Sequence, residues 1–327
     1  MAKIIFKIAA ATLGATIVAF KRSPKPAARL IHRLFDKPLT ITDQLAYEQA
    51  QQKVTVIQNT PYQTTYERNV FDLYYPTDTT NPVAVLFWVH GGGYVGGDKT
   101  DVTEFATRIA ADTNIAVVAM NYSFAPKSIY PGQLHQLDDV VHFFMKNKAD
   151  YPMLNMANLY FGGDSAGAQI AFQYVTVQTN PDYHIGFSQT VLPKTIKGAI
   201  SYCGPLDLKQ MVDDQSDSFF LKFFVKTVAW SLIGKKDWQS SPQLSEASLV
   251  HHVTADFPTA FISDGNAFSF PKQGMAMVEK LEELGVEVDR LFFQESEKEI
   301  PHEYQFDYAT DEAKRCYEQT VAFLNRN

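Results

Sequence analysis

The chain is expected to be an α/β protein, a mainly parallel sheet wrapped by helices on both faces and carrying a helical cap. Three observations lead there. Short apolar runs rich in β-branched and aromatic residues, as found in strands buried on both faces, alternate with helical stretches. Two of the runs end in glycine clusters, His90-Gly91-Gly92-Gly93 and Gly163-Asp164-Ser165-Ala166-Gly167, where a strand must give way to a tight turn. At 327 residues, 46% hydrophobic and 20% charged, the chain can bury one large core, or a core plus a cap.

The first stretch, residues 1–51, is apolar and then basic. Ile4 to Phe20 is almost wholly apolar, interrupted by Lys7, and is followed by Lys21, Arg22, Lys25, Arg29 and Arg33. As a helix it would span roughly 25 Å, short of a bilayer's hydrocarbon unless Lys7 snorkels. Three readings stay open: a membrane anchor or surface helix, a helix of the cap, or a cleaved signal. If it spans, the basic flank favours a cytoplasmic main domain; the other locations are a soluble cytoplasmic protein or a secreted one. Residues 28–51 are expected to be helical and to lead into the main domain over 52–327.

Lys53 to Ile57 and Asn69 to Tyr75 are expected to open the sheet as antiparallel strands. Val83 to Val89 reads as a buried parallel strand, with the first glycine run where it stops. Helices are expected over Thr103 to Asp112 and Gly132 to Lys148. Asn158 to Gly162 is the next strand, and Ala168 to Tyr174 continues as a helix, so Ser165 sits at a strand-to-helix corner. A Cβ two residues to either side of the serine would collide with neighbouring backbone there, which explains the flanking glycines. The helix also aims its free N–H groups at the place where a tetrahedral oxyanion forms. The residues admit plainer roles too, a flexible turn for the glycines and a helix cap for Ser165.

Further strands are Ile200 to Gly204, Thr259 to Ser263 and Val288 to Phe293, with a C-terminal helix closing the chain. Between the first two lies a stretch of about 206–250 containing Phe219-Phe220-Leu221-Lys222-Phe223-Phe224, Trp230 and Trp238. Its aromatic spacing suits one broad helical face. As a cap, it would either line an acyl pocket or simply pack onto the sheet.

The motifs resemble those of the hormone-sensitive-lipase-like esterases and lipases of the α/β-hydrolase superfamily. Beyond the two glycine runs, Asn121 to Pro126 with Tyr130-Pro131 and Asp138-Asp139, Ser240-Ser241-Pro242, and His302 to Phe306 resemble that family's other elements in its order. The resemblance runs from about Val70 to the C-terminus. It implies Ser165 as nucleophile, His302 as general base and acid, and the N–H groups of Gly92, Gly93 and Ala166 as an oxyanion hole. His302 also fits on chemical grounds, since only imidazole titrates near neutral pH, and it lies in a polar loop after a strand. His32, His135, His142, His184, His251 and His252 lack that setting, and His90 belongs to the glycine loop, which it is expected to orient.

The family's acid breaks the pattern. Its expected position falls near Ala267 or Phe268, neither of them acidic. Asp264, at the end of the preceding strand, is the leading candidate through a shortened turn. Asp207 is the alternative, and Asn266 could orient the ring without a carboxylate.

The activity implied is cleavage of carboxylic esters of short to medium acyl chains through an acyl-enzyme on Ser165. An amidase, peptidase or deacetylase would share the mechanism, and a ligand-binding protein that has lost turnover would share the fold. A net charge of −7 argues against a nucleic-acid partner, leaving a small-molecule ester or lipid as substrate. No phosphate-binding glycine loop or metal-ligand spacing occurs, so no cofactor and no metal is expected, and Cys203 and Cys316 read as core residues. Oligomeric state is not encoded in any motif.

Overall fold

The computed structural model describes residues 19–326 except 37, 188 and 214–217, with the side chains of 212, 213 and 220 left aside. In chain order the elements are α1 (Lys25–Phe35), α2 (Gln44–Gln51), β1 (Val54–Pro61), β2 (Val70–Pro76), β3 (Val83–Val89), α3 (Thr103–Thr113), β4 (Ala116–Met120), α4 (Gly132–Lys146) and β5 (Leu154–Asp164). Then follow α5 (Ala166–Thr179), β6 (Ile196–Tyr202), α6 (Gln210–Asp213), α7 (Phe219–Ile233), α8 (Pro242–Glu246), β7 (Ala260–Ser263), α9 (Pro271–Glu283), β8 (Val288–Leu291) and α10 (Asp311–Arg326).

The strands form one sheet in the order β1-β2-β4-β3-β5-β6-β7-β8. Pairings of β1 with β2 and of β2 with β4 are antiparallel, and every later neighbour is parallel. Side chains alternate across the sheet, so each central strand feeds two cores. From β3, Val85, Phe87 and Val89 meet Leu137 and Phe144 of α4 and Ile170 of α5 in one core. Leu86 and Trp88 meet Phe105 and Ile109 of α3 and Phe323 of α10 in the other. With helices on both faces, neither side of the strand is wet, and its sequence is apolar throughout. Cys203 and Cys316 are buried free thiols, as expected.

This topology brings five strand ends to one edge. The glycine loop follows β3, Ser165 follows β5, Cys203 follows β6, Asp264 follows β7, and the loop carrying His302 follows β8. Sites in open α/β sheets are built at that carboxyl edge.

The segment between β6 and β7 lies over this edge. Ser218 caps α7 by accepting a hydrogen bond from the Leu221 amide, and Gly234 ends the helix in the left-handed region. The N-terminal helix α1 packs on α7, with the Phe35 and Phe224 rings 6.5 Å apart, and buries Ala27, Ala28 and Ile31. Thr42, just before α2, is tied to Glu104 of α3 and to the Phe306 carbonyl. The proposed anchor, residues 4–20, lies outside the described residues except for its last two. Among the described residues no helix is long and apolar enough to cross a membrane.

Candidate active site

The corner at Ser165 follows from sterics. Ser165 adopts φ 50° and ψ −120°, a strained backbone for a residue with a Cβ, between the last residue of β5 and the first of α5. Its neighbours two away must be glycine. A Cβ on Gly163 would lie 2.4 Å from the Gly167 carbonyl carbon and 2.5 Å from the Val89 oxygen, and one on Gly167 would lie 1.9 Å from that oxygen. The turn therefore presses directly on the end of β3, next to the glycine loop.

Asp164 ties the two motifs together. Its carboxylate accepts a hydrogen bond from Trp88 Nε1 at 2.9 Å and from the Gly91 amide at 2.7 Å. Burial, then the nearby Glu303, pushes this carboxyl well above the usual carboxylate range. The Tyr122 hydroxyl donates to the His90 and Gly91 carbonyls at 3.2 and 3.0 Å, bracing the loop from β4. His90 stacks on Tyr122 with ring centroids 4.4 Å apart, and its Nδ1 lies 2.7 Å from the Gly91 carbonyl. Burial drives its imidazole down to about 4, so the ring is neutral and orients the loop, as the sequence suggests. Gly92 and Gly93 have φ of 102° and 58°, so the loop needs glycine at both.

His302 reaches the serine. Its Nε2 lies 2.8 Å from Ser165 Oγ, an alignment suited to proton transfer. Desolvation by burial lowers its pKa from the ordinary histidine value, and Asp264 opposes that shift. The loop bearing it is fastened to the end of β7. The Asn266 and Ala267 amides donate to the Ile300 carbonyl at 3.0 Å. Gly265 lets the two loops touch, since a Cβ there would lie 2.3 Å from that same oxygen.

The acid side departs from expectation. Asp264 sits beside the imidazole, but a direct carboxylate-to-ring hydrogen bond is replaced by a bridge: Ser269 Oγ lies 2.7 Å from His302 Nδ1 and donates to Asp264 Oδ1. The other carboxylate oxygen accepts from the Phe270 amide at 3.1 Å. Asp264 follows β7 directly, too early in the loop to reach the ring, and Ser269 fills the gap. Asp207 is engaged elsewhere, accepting from Ser248 Oγ at 2.5 Å and from the Lys209 and Gln210 amides at 3.1 Å. Asn266 is engaged elsewhere as well. Its side chain donates to the carbonyls of Phe293, Ser296 and Lys298 and accepts from the Ile300 amide, so it shapes the histidine loop. Ser269, Asp164 and Tyr122 are the site residues that sequence reasoning missed. A serine beside the family's acid position was the available signal for the first.

Beside Ser165 lies an apolar cavity of about 50 Å³ bordered by Gly93, Ala166, Leu208, Phe224, Val228 and Trp238, among others. The aromatic segment divides. Phe224 and Trp238 border the cavity, whereas Trp230 packs into the core and Phe219 is 86% exposed. Of the backbone groups expected at the oxyanion, those of Gly93 and Ala166 border the cavity with Ser165. Among the described residues the one set of histidine, cysteine and carboxylate donors close enough to share an ion is Cys203, Asp264 and His302, with their donor atoms within 4.8 Å. Each of them already has hydrogen-bond partners within the protein.

A profile of the BD-FAE family matches residues 71–281. The chain is similar to an acetyl esterase of Salmonella schwarzengrund, 32% identical over 99 residues, or 30% of each chain. It is also similar to an esterase of Gibberella moniliformis, 24% identical over 214 residues, or 63% of each chain. The chain thus spans less than two thirds of the length of either relative. Among solved structures, an esterase of the bacterial hormone-sensitive lipase family superposes with a TM-score of 0.63 at 16% identity, covering 93% of this chain and 97% of that one. With well over half of its length matched by the family profile, the chain belongs to the BD-FAE family, and its sheet is that of the α/β-hydrolase fold.

Proposed function

We propose that the protein is a serine carboxylic-ester hydrolase acting on short to medium acyl chains. The observation that carries this is Ser165 Oγ held 2.8 Å from His302 Nε2 at the mouth of an apolar cavity. In this reading the Ser165 oxygen attacks the ester carbonyl carbon while His302 Nε2 takes its proton. The N–H groups of Gly92, Gly93 and Ala166 receive the oxyanion. His302 then protonates the departing alcohol, and water, activated by the same imidazole, releases the acid and restores Ser165. The segment over 206–250 acts as a cap on the domain over 52–327. A cavity of about 50 Å³ is far below the several hundred that enclose a drug-sized ligand, which supports the short end of the acyl range. The acetyl esterase among the relatives points the same way.

The test is labelling with a serine-directed phosphonate, with Ser165→Ala as control, alongside hydrolysis of p-nitrophenyl acetate and butyrate, acetylated sugars and aminoacyl amides. Labelling on Ser165 with turnover of the small esters is expected. Preference for the amides would overturn the ester assignment, and no label would favour a binding protein.

Attachment to a membrane surface, with the catalytic domain on the cytoplasmic side, is supported by the solvent face of α1. Arg29 and Arg33 are exposed there beside Leu30 and Leu34, which are 50% and 47% exposed. Cationic and apolar groups sharing one helix face suit an anionic lipid interface. Co-sedimentation with phosphatidylserine vesicles, lost in an Arg29→Glu/Arg33→Glu variant, is the expected result.

A further inference from the structure

We infer that Ser269 is a positioning residue whose hydroxyl couples Asp264 to His302 and selects the imidazole tautomer that can accept the Ser165 proton. The inference rests on the serine-hydrolase reading and adds a fourth member to its relay.

The argument is one of proton counting. A hydroxyl has one proton to give and lone pairs to receive, whereas an ionised carboxylate only receives. Ser269 Oγ contacts both Asp264 Oδ1 and His302 Nδ1. With Asp264 ionised, the hydroxyl proton must point to the carboxylate, so the contact with the ring requires Nδ1 to carry hydrogen and donate. Nε2 is then left with its lone pair, and that is the nitrogen facing Ser165. Were the hydroxyl proton to point to Nδ1 instead, Nε2 would carry hydrogen and could not act as base.

The loop is built to hold this arrangement. The Phe270 amide is fixed on Asp264 Oδ2, and the Phe270 ring stands edge-on to the imidazole at 5.5 Å. On the other side Ala267 pairs with Pro301, the residue before His302. Ser269 lies between these two anchors. The titratable groups facing the ring are Asp264 behind the hydroxyl, Cys203 at the end of β6, and Glu303, whose Oε1 is 3.9 Å from Nε2. When the ring becomes imidazolium, the Nδ1–H bond to Ser269 strengthens and the Asp264 charge is felt through it, with no proton transferred to Asp264.

The experiment is steady-state kinetics with p-nitrophenyl acetate across pH for Ser269→Ala, Ser269→Thr, Asp264→Asn and the Ala/Asn double variant, each checked for native melting. For Ser269→Ala, kcat should fall on the order of 10²-fold with KM little changed, since a wrong tautomer alone costs up to ~10⁴. Its acidic limb should move to lower pH, because a hydrogen bond favouring the charged ring is lost. Ser269→Thr should restore most of the rate. The double variant should be no worse than the poorer single one, as expected for two members of one chain of contacts. Full activity in Ser269→Ala, additive losses in the double variant, or an unmoved acidic limb would overturn the relay. Failure of the underlying reading looks different, since Ser165→Ala would then keep its activity.

Discussion

The two halves of the site are held by different physics. On the Ser165 side, backbone presses on backbone: Gly163 and Gly167 abut the end of β3, and Asp164 bonds both Trp88 and Gly91. On the histidine side, side chains bridge a gap between two loops through Ser269 and Asn266. The first tolerates one residue type per position. The second can be completed in several ways, and this chain uses a serine where its resemblance leads one to expect a carboxylate.

Substitutions that test this contrast range widely in size. The largest effect is expected from Ser165→Ala, which should lower kcat by about 10⁶-fold in an ester assay if the serine and imidazole act as a unit. Asp264→Asn should cost on the order of 10²–10⁴-fold, while Asp207→Asn, bonded to Ser248 and away from the imidazole, should leave kcat unchanged. Equal losses in the two would break the assignment of the histidine side. Gly167→Ala should destabilise by about 3 kcal/mol in chemical denaturation, since no rotamer relieves a Cβ placed 1.9 Å from a backbone oxygen. Phe268→Ala in the acid-side loop, 77% exposed, should stay within about 0.5 kcal/mol by the same measurement.

Two smaller effects concern the cavity and pH. Phe224→Ala should enlarge the acyl side and raise the butyrate-to-acetate ratio of kcat/KM by about 10-fold, the scale of one or two methylenes. An unchanged ratio would place the acyl group elsewhere. Turnover requires neutral His302, and burial favours the neutral ring more strongly than Asp264 opposes it. The acidic limb of kcat/KM should therefore lie below the ordinary histidine value of 6.5.

Much of this was legible before any coordinates. The strand ending at Val89 and the corner at Ser165 could be read from glycine placement, because close backbone approach forbids a Cβ whatever the rest of the chain does. His302 is named by the family resemblance, with its loop after a strand as added support. Asp264 could be named but its connection could not, since the reach of a carboxylate depends on the path of a loop closed by contacts with residues 293–301. Ser269 escapes a reading of the sequence for the same reason. The aromatic segment showed its apolar face but not the split that sends Phe224 to the cavity and Trp230 to the core, because helix periodicity says which residues share a side and not what lies opposite.

By itself the sequence determined the parallel sheet and the glycines that bring serine and loop together, since each is imposed by local sterics and burial pattern, and its motifs name the pair proposed to react, Ser165 and His302. Only the tertiary structure decided how the acid reaches the imidazole, which rings border the cavity, and that Asp164 and Tyr122 brace the glycine loop. Those are meetings of side chains far apart in the chain, set by the packing of separate strand ends along one edge of the sheet.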